Sequence, residues 1–282
     1  MLMPKFEDLG SRQKFFEKNY GNMPYLMIGT PALCRIDGRS FHSFCKNLPR
    51  PFDARLSALM IDTTKFLMEQ CSPVWSFVQS DEISLCFYED NYDSQIFFDY
   101  RRQKIETQTA ALATWYFNNQ LPDRIPEKNG ALATFDSRAW SVPTLNEASS
   151  YAVWRQRDAT KNSITMAASA HYSHGELQGK NGSDKHELLY AKGVNWSTDY
   201  PNYFKNGTFF RKVKRESTFT VDELSKLPEK HEARSNPRLT FTRNVIECID
   251  GLVLDKITNK SEVLFNGADP VYITMNNKGE KK

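Results

Sequence analysis

Two short strand-like runs joined by four polar residues constrain this fold more than any other feature of the sequence. The runs cover residues 74–78 and 83–88, and the residues between them are Gln79, Ser80, Asp81 and Glu82. Apolar runs of this length separated by a short polar segment are typical of a β-hairpin. The sequence therefore predicts an antiparallel strand pair with acidic residues at its tip.

The pattern on either side of the hairpin predicts the order strand, helix, hairpin, helix, strand. Residues 26–37 are apolar and end at Asp37-Gly38, and apolar residues recur at helical spacing over 52–71, with Asp53 as the expected N-cap. A second helix is predicted over 99–119 and a strand over 131–135. This order predicts an α+β fold, an antiparallel sheet of the ferredoxin-like split βαβ kind with helices on one face.

The second half of the chain is predicted to be a helical and hairpin extension packed on the first half. Helices are expected over most of 144–173 and 183–192, and a hairpin over 208–215 with its partner near 217–221. The stretch after Leu224 is polar and weakly patterned, and a short amphipathic helix is expected over 6–20. We expect a first domain over 1–140 and an extension over 141–282, together forming one unit.

Composition and length exclude several classes of protein. The chain has 282 residues, of which 40% are hydrophobic and 25% charged, so it is neither disordered nor a coiled coil. No run approaches roughly 18 apolar residues, and the first residues lack a secretory signal, so a soluble cytoplasmic protein without a membrane partner is expected. The five cysteines have no metal-ligand spacing, and the net charge of +3 leans weakly toward anionic partners.

Acidic residues at two predicted turns suggest a metal site. Asp37 ends a strand before Gly38, which leaves the backbone free to turn, and Asp81 and Glu82 lie at the tip of the hairpin. In a split βαβ sheet the first strand and this hairpin are neighbours. Two carboxylates and a backbone carbonyl suit Mg²⁺, which takes its other ligands from water and phosphate. The alternative is an ordinary turn and a solvated hairpin tip, with only one of the adjacent acidic residues facing Asp37.

Cationic residues near these turns could bind a nucleotide, and two later segments could bind RNA. Arg39, Ser40 and His42 follow the first turn, and Arg50 comes shortly after. Further polar clusters occur at 154–163, at 184–187 and in the basic stretch 211–215, with aromatic residues over 196–204. These clusters are the charge and stacking groups of an RNA-facing surface, or they are ordinary solvated faces.

Read together, five segments resemble the tRNA(His) guanylyltransferase family in the same order. The matching segments are Arg35–His42, Arg50–Asp53, Gln79–Ser84, then Trp154-Arg155-Gln156 with Asp158 and Asn162, and finally Asp184-Lys185 with Gly193-Val194-Asn195-Trp196. The resemblance covers roughly residues 5–210. Five motifs in order are far more specific than any one of them.

The resemblance implies a polymerase-palm-like domain that works in reverse, adding nucleotides 3′-to-5′ at the 5′ end of tRNA. ATP activates a 5′-monophosphate, and the 3′-hydroxyl of GTP or another NTP then attacks and expels AMP. Two Mg²⁺ ions, NTP substrates, tRNA or a tRNA-like RNA, and a homo-oligomer (tetramer or dimer) are implied. Metal binding is implied for Asp37, Gly38 and Asp81, and catalytic roles are implied for Asp37, Asp81, Glu82 and Lys185. The other implied positions are Arg39, Ser40, Phe41, His42, Arg50 and Ser80 for the nucleotide, and Arg102, Lys104, Arg155, Asn162 and Asn195 for RNA or triphosphate.

Two departures from the eukaryotic pattern point to the bacterial and archaeal guanylyltransferase-like branch. Thr160-Lys161-Asn162-Ser163 replaces a His-Ile-Asn-Asn motif, and Arg50 replaces a lysine. This branch repairs truncated 5′ ends of tRNA by templated addition, so repair and guanylyl addition to tRNA(His) both remain possible activities. A palm-type nucleotide cyclase and a non-catalytic RNA-binding relative are the alternatives. The segments after residue 150 argue against a cyclase, and the retained carboxylates argue against an inactive protein.

Overall fold

The hairpin predicted at residues 74–88 forms, and it lies inside a six-stranded antiparallel sheet. The computed structural model describes residues 25–91, 96–236 and 238–273, so the predicted helix at 6–20 lies outside the described residues. The strands are β1 (Ala32–Gly38), β2 (Trp75–Gln79), β3 (Glu82–Phe87), β4 (Phe135–Ser141), β5 (Thr208–Thr218) and β6 (Thr240–Ile249). Their order across the sheet is β4-β1-β3-β2-β5-β6.

Eleven α-helical segments accompany the sheet in the described part of the chain. They are α1 (Phe41–Phe44), α2 (Ala54–Cys71), α3 (Arg102–Arg124), α4 (Leu145–Ser169), α5 (His174–Leu177), α6 (Gly182–Ala191), α7 (Trp196–Asp199), α8 (Asn202–Asn206), α9 (Val221–Lys226), α10 (Glu232–Ser235) and α11 (Lys260–Phe265). The predicted N-cap of α2 is confirmed, because the Asp53 side chain accepts a hydrogen bond from the backbone N–H of Arg55 at 2.8 Å. None of the helices within the described residues is long and apolar enough to cross a membrane.

Helices cover both faces of the sheet, which corrects the expectation of helices on one face only. Alternate residues of β1 point to opposite faces: Cys34 and Ile36 join the core formed with α2 and α3, whereas Leu33 joins the core formed with α4. The two helices from the first half therefore lie on the expected face. The long helix α4, from the second half, packs on the other face through Ala148, Tyr151 and other small or aromatic residues.

The strand predicted at 131–135 begins later, at Phe135, and helix α3 continues past its predicted end to Arg124. The Asn118 side chain explains the shift, because it donates to the carbonyl of Ala133 at 2.7 Å and accepts from the Ala133 backbone N–H at 3.0 Å. The segment before β4 is thus bound to α3 rather than to the sheet. Pro122 lies in the last turn of α3, where the helix ends two residues later.

The prediction of a hairpin over residues 208–221 is also wrong. Strand β5 runs without a turn from Thr208 to Thr218, and its partner is β6, in the stretch predicted to be weakly patterned. Only residues 208–211 of β5 also pair with β2, so the rest of β5 and β6 forms a two-stranded ribbon beyond the sheet. Both faces of such a ribbon meet solvent over much of its length, so its sequence lacks the apolar alternation that marks a strand.

A third cluster of apolar residues lies where α4 extends past the sheet. Leu177, Leu189 and Phe204 from the short helices α5, α6 and α8 pack there against Ala167 and Ala168 of α4. This cluster places α8 beside the ends of β1 and β2 at which the predicted site residues lie. The extension therefore contributes directly to the surroundings of that site.

Candidate active site

The end of β1 and the start of β3 bring the predicted acidic residues side by side. Asp37 pairs with Glu82 in the register between the two strands, and the Gly38 backbone N–H donates to the carbonyl of Asp81 at 3.1 Å. Ser80 has a positive φ of 53°, which forms the tight turn of the hairpin. Two strand ends thus hold three carboxylates within one small region.

Gly38 is required here because the chain folds back closely on it. A Cβ atom at this position would lie 2.3 Å from Cδ2 of Phe41, far inside van der Waals contact. The Phe41 ring is 4% exposed and packs against Phe44, Phe117 and Phe135. The side chain of Phe41, one of the predicted nucleotide-binding residues, is therefore part of the core. Its ring packs against Gly38 and supports the turn that follows β1.

Burial raises the pKa of Asp81 above its usual range, and the negative charge of Asp37 adds to the rise. The Ser80 hydroxyl donates to Asp81 Oδ1 at 3.0 Å and opposes the rise. Among the described residues, no group of three or more His, Cys, Asp and Glu side chains has the arrangement of a metal site. The oxygen donors present are nevertheless those that Mg²⁺ prefers, namely the two Asp carboxylates and the Gly38 carbonyl. The donor set therefore fits Mg²⁺ with water or phosphate completing the coordination.

Glu82 is bound by an arginine of helix α4. Arg155 of α4 donates through Nε and Nη2 to the two carboxylate oxygens at 2.6 and 2.7 Å. Arg155 Nη2 also donates to Asp158 at 3.3 Å. The structure thus places Arg155, predicted to bind RNA or triphosphate, in a buried ion pair with a predicted catalytic residue.

A cavity of about 970 Å³ opens beside Asp81. Five of the predicted residues line it: Phe41, His42, Arg50, Ser80 and Asp81. His42 and Arg50 are exposed at its rim. Asp37, Gly38, Arg39 and Ser40 do not line the cavity, and they lie on the adjoining strand end and turn. The cavity is large enough for a nucleotide, since ligand pockets typically measure about 300–1,000 Å³.

The opposite wall of the cavity is aromatic, and its residues were not assigned to the nucleotide from sequence. Phe52 stacks on Phe204 with ring centroids 4.5 Å apart, and Tyr203 lies edge-on to Phe52 at 5.7 Å. The sequence left two interpretations open for the aromatic stretch 196–204, a surface for stacking RNA bases or an ordinary solvated face. In the structure its residues join the third core cluster, and Phe204 is 5% exposed. Phe52 lies in one of the five matching motifs, and this position in the sequence could have assigned it to the site.

Helix α4 lines part of the cavity, and Lys185 of α6 adjoins it there. Thr165 lines it, and the Lys185 Nζ of α6 donates to the Thr165 hydroxyl at 2.9 Å. Asn162 lies on the exposed side of the same helix and donates to Asp158 at 3.2 Å. Asn195 caps helix α7 by accepting from the Ser197 backbone N–H at 3.0 Å. Lys185 therefore adjoins the cavity, while Asn195 has a structural partner within its own turn.

Arg102 and Lys104 are not brought to this site. They lie in the first turn of α3, and Phe117, which packs on Phe41, lies in the fifth turn. At 1.5 Å per residue this separation is about 22 Å along the helix. Arg102 pairs with Glu106, and Lys104 lies over the Phe98 ring.

Comparison with known proteins identifies the class to which this site belongs. The family model described as tRNAHis guanylyltransferase matches residues 12–143. A bacterial tRNA(His) guanylyltransferase-like protein solved in complex with ATP is 36% identical, with a TM-score of 0.66 over 73% of this chain and 87% of that one. A bacterial protein of the same description in complex with GTP is 29% identical, with a TM-score of 0.66 over 88% of this chain and 94% of that one.

Curated relatives agree with these matches. The tRNA(His) guanylyltransferase of Schizosaccharomyces pombe is 26% identical over 69% of this chain and 78% of its own length. Fold and site together thus define a nucleotidyltransferase. The chain belongs to the tRNA(His) guanylyltransferase family.

Proposed function

We propose that this chain adds nucleotides in the 3′-to-5′ direction to the 5′ end of tRNA or a tRNA-like RNA. The observation that carries the proposal is the position of Asp37, Gly38 and Asp81 at two adjoining strand ends beside a cavity of about 970 Å³. The similar bacterial structures with ATP and with GTP support the use of both nucleotides. Strands β1–β4 with α2 and α3 would form the palm-like catalytic domain expected over 1–140.

Two Mg²⁺ ions would be held by the carboxylates of Asp37 and Asp81 and by the Gly38 carbonyl. When bound, the ions neutralise phosphate charge and orient the attacking and leaving oxygens for in-line displacement. The protein itself holds these oxygen donors in fixed positions. Gly38 is tied to the hairpin by its hydrogen bond to Asp81, and it is supported from below by the ring of Phe41.

The cavity would receive the nucleoside triphosphate, with its phosphates toward the hairpin and its base toward the aromatic wall. Ser80, His42 and Arg50 offer donors on the phosphate side, and the guanidinium of Arg50 can bind phosphate oxygens with two parallel hydrogen bonds. Arg39 and Ser40 lie in the turn between β1 and α1, next to the strand end that carries Asp37. Lys185 would act from the far side, beside Thr165.

The reaction would proceed in two displacements at the same site. The 5′-phosphate of the RNA attacks the α-phosphate of ATP, pyrophosphate leaves, and the 5′ end is adenylylated. The 3′-hydroxyl of the incoming NTP then attacks the RNA phosphate, and AMP leaves. A 5′-triphosphorylated RNA already carries a leaving group and would omit the first step. Positioning and charge neutralisation supply most of the catalysis in such transfers.

The contacts of residues 160–163 support templated repair rather than recognition of tRNA(His) alone. Thr160 Oγ1 donates to the Asn206 side chain at 3.1 Å, and Ser163 Oγ donates to the Lys205 carbonyl at 3.1 Å. Both side chains therefore hold α8 against α4 and face the protein interior. Only Lys161 and Asn162 of these four are exposed to a bound RNA. A homo-oligomer, dimer or tetramer, is also proposed by family analogy.

The test uses a 5′-labelled, monophosphorylated tRNA that lacks its first nucleotide, incubated with ATP, all four NTPs and Mg²⁺. A parallel reaction contains tRNA(His) that lacks only its extra 5′ guanosine. We expect extension of the truncated tRNA by the templated nucleotide, dependent on ATP. Extension of tRNA(His) alone would contradict the repair activity, and absence of extension in both, with GTP still bound, would contradict the transferase and favour a cyclase.

Two variants complete this test. Asp37→Ala is expected to lower the transfer rate by about 100-fold or more, because it removes a metal ligand. Asp136→Ala is the matched control, since Asp136 lies opposite Asp37 on β4 but points to solvent with a side chain that is 62% exposed. Equal rates in the Asp37→Ala variant and the wild type would show that the metal assignment is wrong.

A further inference from the structure

Glu82 is an acidic residue of the site whose carboxylate is fully engaged by the protein. Both of its oxygens accept hydrogen bonds from Arg155, and Arg35 Nε lies 3.9 Å from one of them. Two parallel bonds between a guanidinium and a carboxylate fix the orientation of both groups. The Glu82 side chain is 15% exposed, so little of its charge is compensated by water.

Arg155 is in turn held in place from several directions. Its side chain is 9% exposed, Nη2 reaches Asp158 one turn further along α4, and the guanidinium lies 4.6 Å from the centre of the Trp154 ring. An arginine fixed in this way cannot reach a phosphate in solvent without first leaving Glu82. Breaking a buried ion pair from one side is costly, because it leaves the other charge uncompensated.

The position of Glu82 makes its charge important for the neighbouring aspartates. Glu82 lies directly opposite Asp37 in the strand register, a separation of about 4.5–5.5 Å between Cβ atoms, and it follows Asp81 in sequence. Without Arg155, the charge of Glu82 would add to those of Asp37 and Asp81 at the end of the sheet, where Asp136 on β4 is exposed to solvent. A divalent cation would then have Glu82 available as a competing ligand.

We propose that Arg155 is a positioning residue that holds Glu82 out of the metal site and cancels its charge, so that Asp37, Asp81 and the Gly38 carbonyl receive the cation. The inference rests on the proposed function, and it assigns Arg155 a role different from the RNA contact expected from sequence. Arg155 acts through Glu82 and touches neither nucleotide nor RNA. Loss of RNA binding on its replacement is the competing outcome of the test.

The first experiment measures Mn²⁺ binding by electron paramagnetic resonance, without RNA or nucleotide. Arg155→Met removes both hydrogen bonds that Glu82 accepts from Arg155 and leaves Arg35, 3.9 Å away, as the neighbouring cation, so we expect the Mn²⁺ dissociation constant to fall about three- to tenfold from the lost positive charge. Glu82→Gln should raise it, and the double variant should return it to within about twofold of wild type, because the charge balance is restored. Arg157→Met is the matched control: Arg157 makes a similar two-bond pair with Asp255, but its side chain is 67% exposed. It should leave Mn²⁺ binding unchanged.

The second experiment measures single-turnover transfer and RNA binding with the same variants. Arg155→Met should slow transfer by about tenfold or more, with the RNA dissociation constant unchanged. In the Glu82→Gln background the same substitution should lower the transfer rate by less than about threefold. Arg155→Lys keeps the charge without the fork, so it should bind Mn²⁺ like wild type and transfer slowly. This variant also provides the test if Arg155→Met does not fold, as judged by its thermal transition.

Two results would overturn the inference. One is an unchanged Mn²⁺ dissociation constant in folded Arg155→Met. The other is weaker RNA binding with a salt dependence reduced by about one phosphate contact in both Glu82 backgrounds, which would identify a phosphate ligand. If wild type transfers no nucleotide to any RNA, the proposed function fails, while the Mn²⁺ measurements still decide the role of Arg155.

Discussion

At the scale of single residues, the site contains carboxylates whose charged form is disfavoured by their surroundings. Asp81 is partly buried, and the pKa of Asp81 is raised by that burial and by the negative charge of Asp37. Charged groups in such a position lower the stability of the fold unless a counter-charge is bound. This cost is typical of functional carboxylates, and a surface role for Asp81 would not require it.

Replacing Asp81 by asparagine should therefore separate activity from stability. The variant is expected to lose transfer activity by about 100-fold or more, because the proposed metal ligand is lost. Its melting temperature without metal should rise by about 2–4 °C, the shift that ~1 kcal/mol produces in a chain of this length. Calorimetry in a chelating buffer measures the shift, with Asp136→Asn as the exposed control. A lower melting temperature would mean that Asp81 is stabilised by its surroundings.

Gly38 illustrates a steric requirement at the same scale. Gly38→Ala places a methyl group 2.3 Å from the Phe41 ring, so the free energy of unfolding should fall by about 1–3 kcal/mol. Urea unfolding measures the change. In a Phe41→Leu background the same substitution should lower the free energy of unfolding by clearly less, since the smaller side chain leaves room for the methyl group. An equal cost in both backgrounds would show that the clash is not the cause.

At the scale of elements, long-range partners decided where strands and helices end. Asn118 holds the segment before β4 on helix α3, and β5 finds its partner in β6 across an intervening segment of two short helices. The first of these, α9, is fixed at its start by a reciprocal capping arrangement between Thr220 and Glu223. Arg243 of β6 also donates to Glu223 at 3.0 Å, which ties α9 to the ribbon.

The fraction of molecules in which helix α9 is folded should depend on pH through the ionisation of Glu223. The backbone N–H of Thr220 and the Arg243 guanidinium lower the pKa of Glu223 from 4.5 to about 2. Because the pKa is lowered in the folded state, its stabilising contribution is present above pH 4.5 and is lost as the pH falls toward 2. Limited proteolysis by pepsin should therefore cut residues 220–227 increasingly fast as the pH falls through this window. Glu223→Gln should be cut rapidly throughout, and a wild-type rate independent of pH would contradict this assignment.

At the scale of the whole molecule, the second half of the chain completes the core of the first. Helix α4 covers one face of the sheet, and the segment after β6 covers the same region through Leu252, Leu254 and Val263. Gln156 of α4 connects these parts, since it donates to the Leu252 carbonyl at 2.7 Å and accepts from the Leu254 backbone N–H at 2.8 Å. The extension is thus part of the same folded unit as the sheet.

Two leucine substitutions test this dependence. Leu254→Ala should lower the free energy of unfolding by about 2–5 kcal/mol, because its side chain is 0% exposed in the core beneath α4. Leu132→Ala is the matched control, with a side chain that is 74% exposed, and should change stability by less than about 0.5 kcal/mol. Urea unfolding followed by Trp fluorescence measures both. Equal effects would mean that the C-terminal segment does not belong to the core.

The sequence by itself determined the features that depend on neighbouring residues. The hairpin of β2 and β3, the capped helix α2 and the family motifs all follow from local patterns, and they located Asp37 and Asp81 near one another. Only the tertiary structure decided that α4 covers the second face, that β6 pairs with β5, and that Arg155 binds Glu82. These features join residues between about 20 and 120 positions apart, and no local periodicity encodes which distant group satisfies a buried charge or a free strand edge.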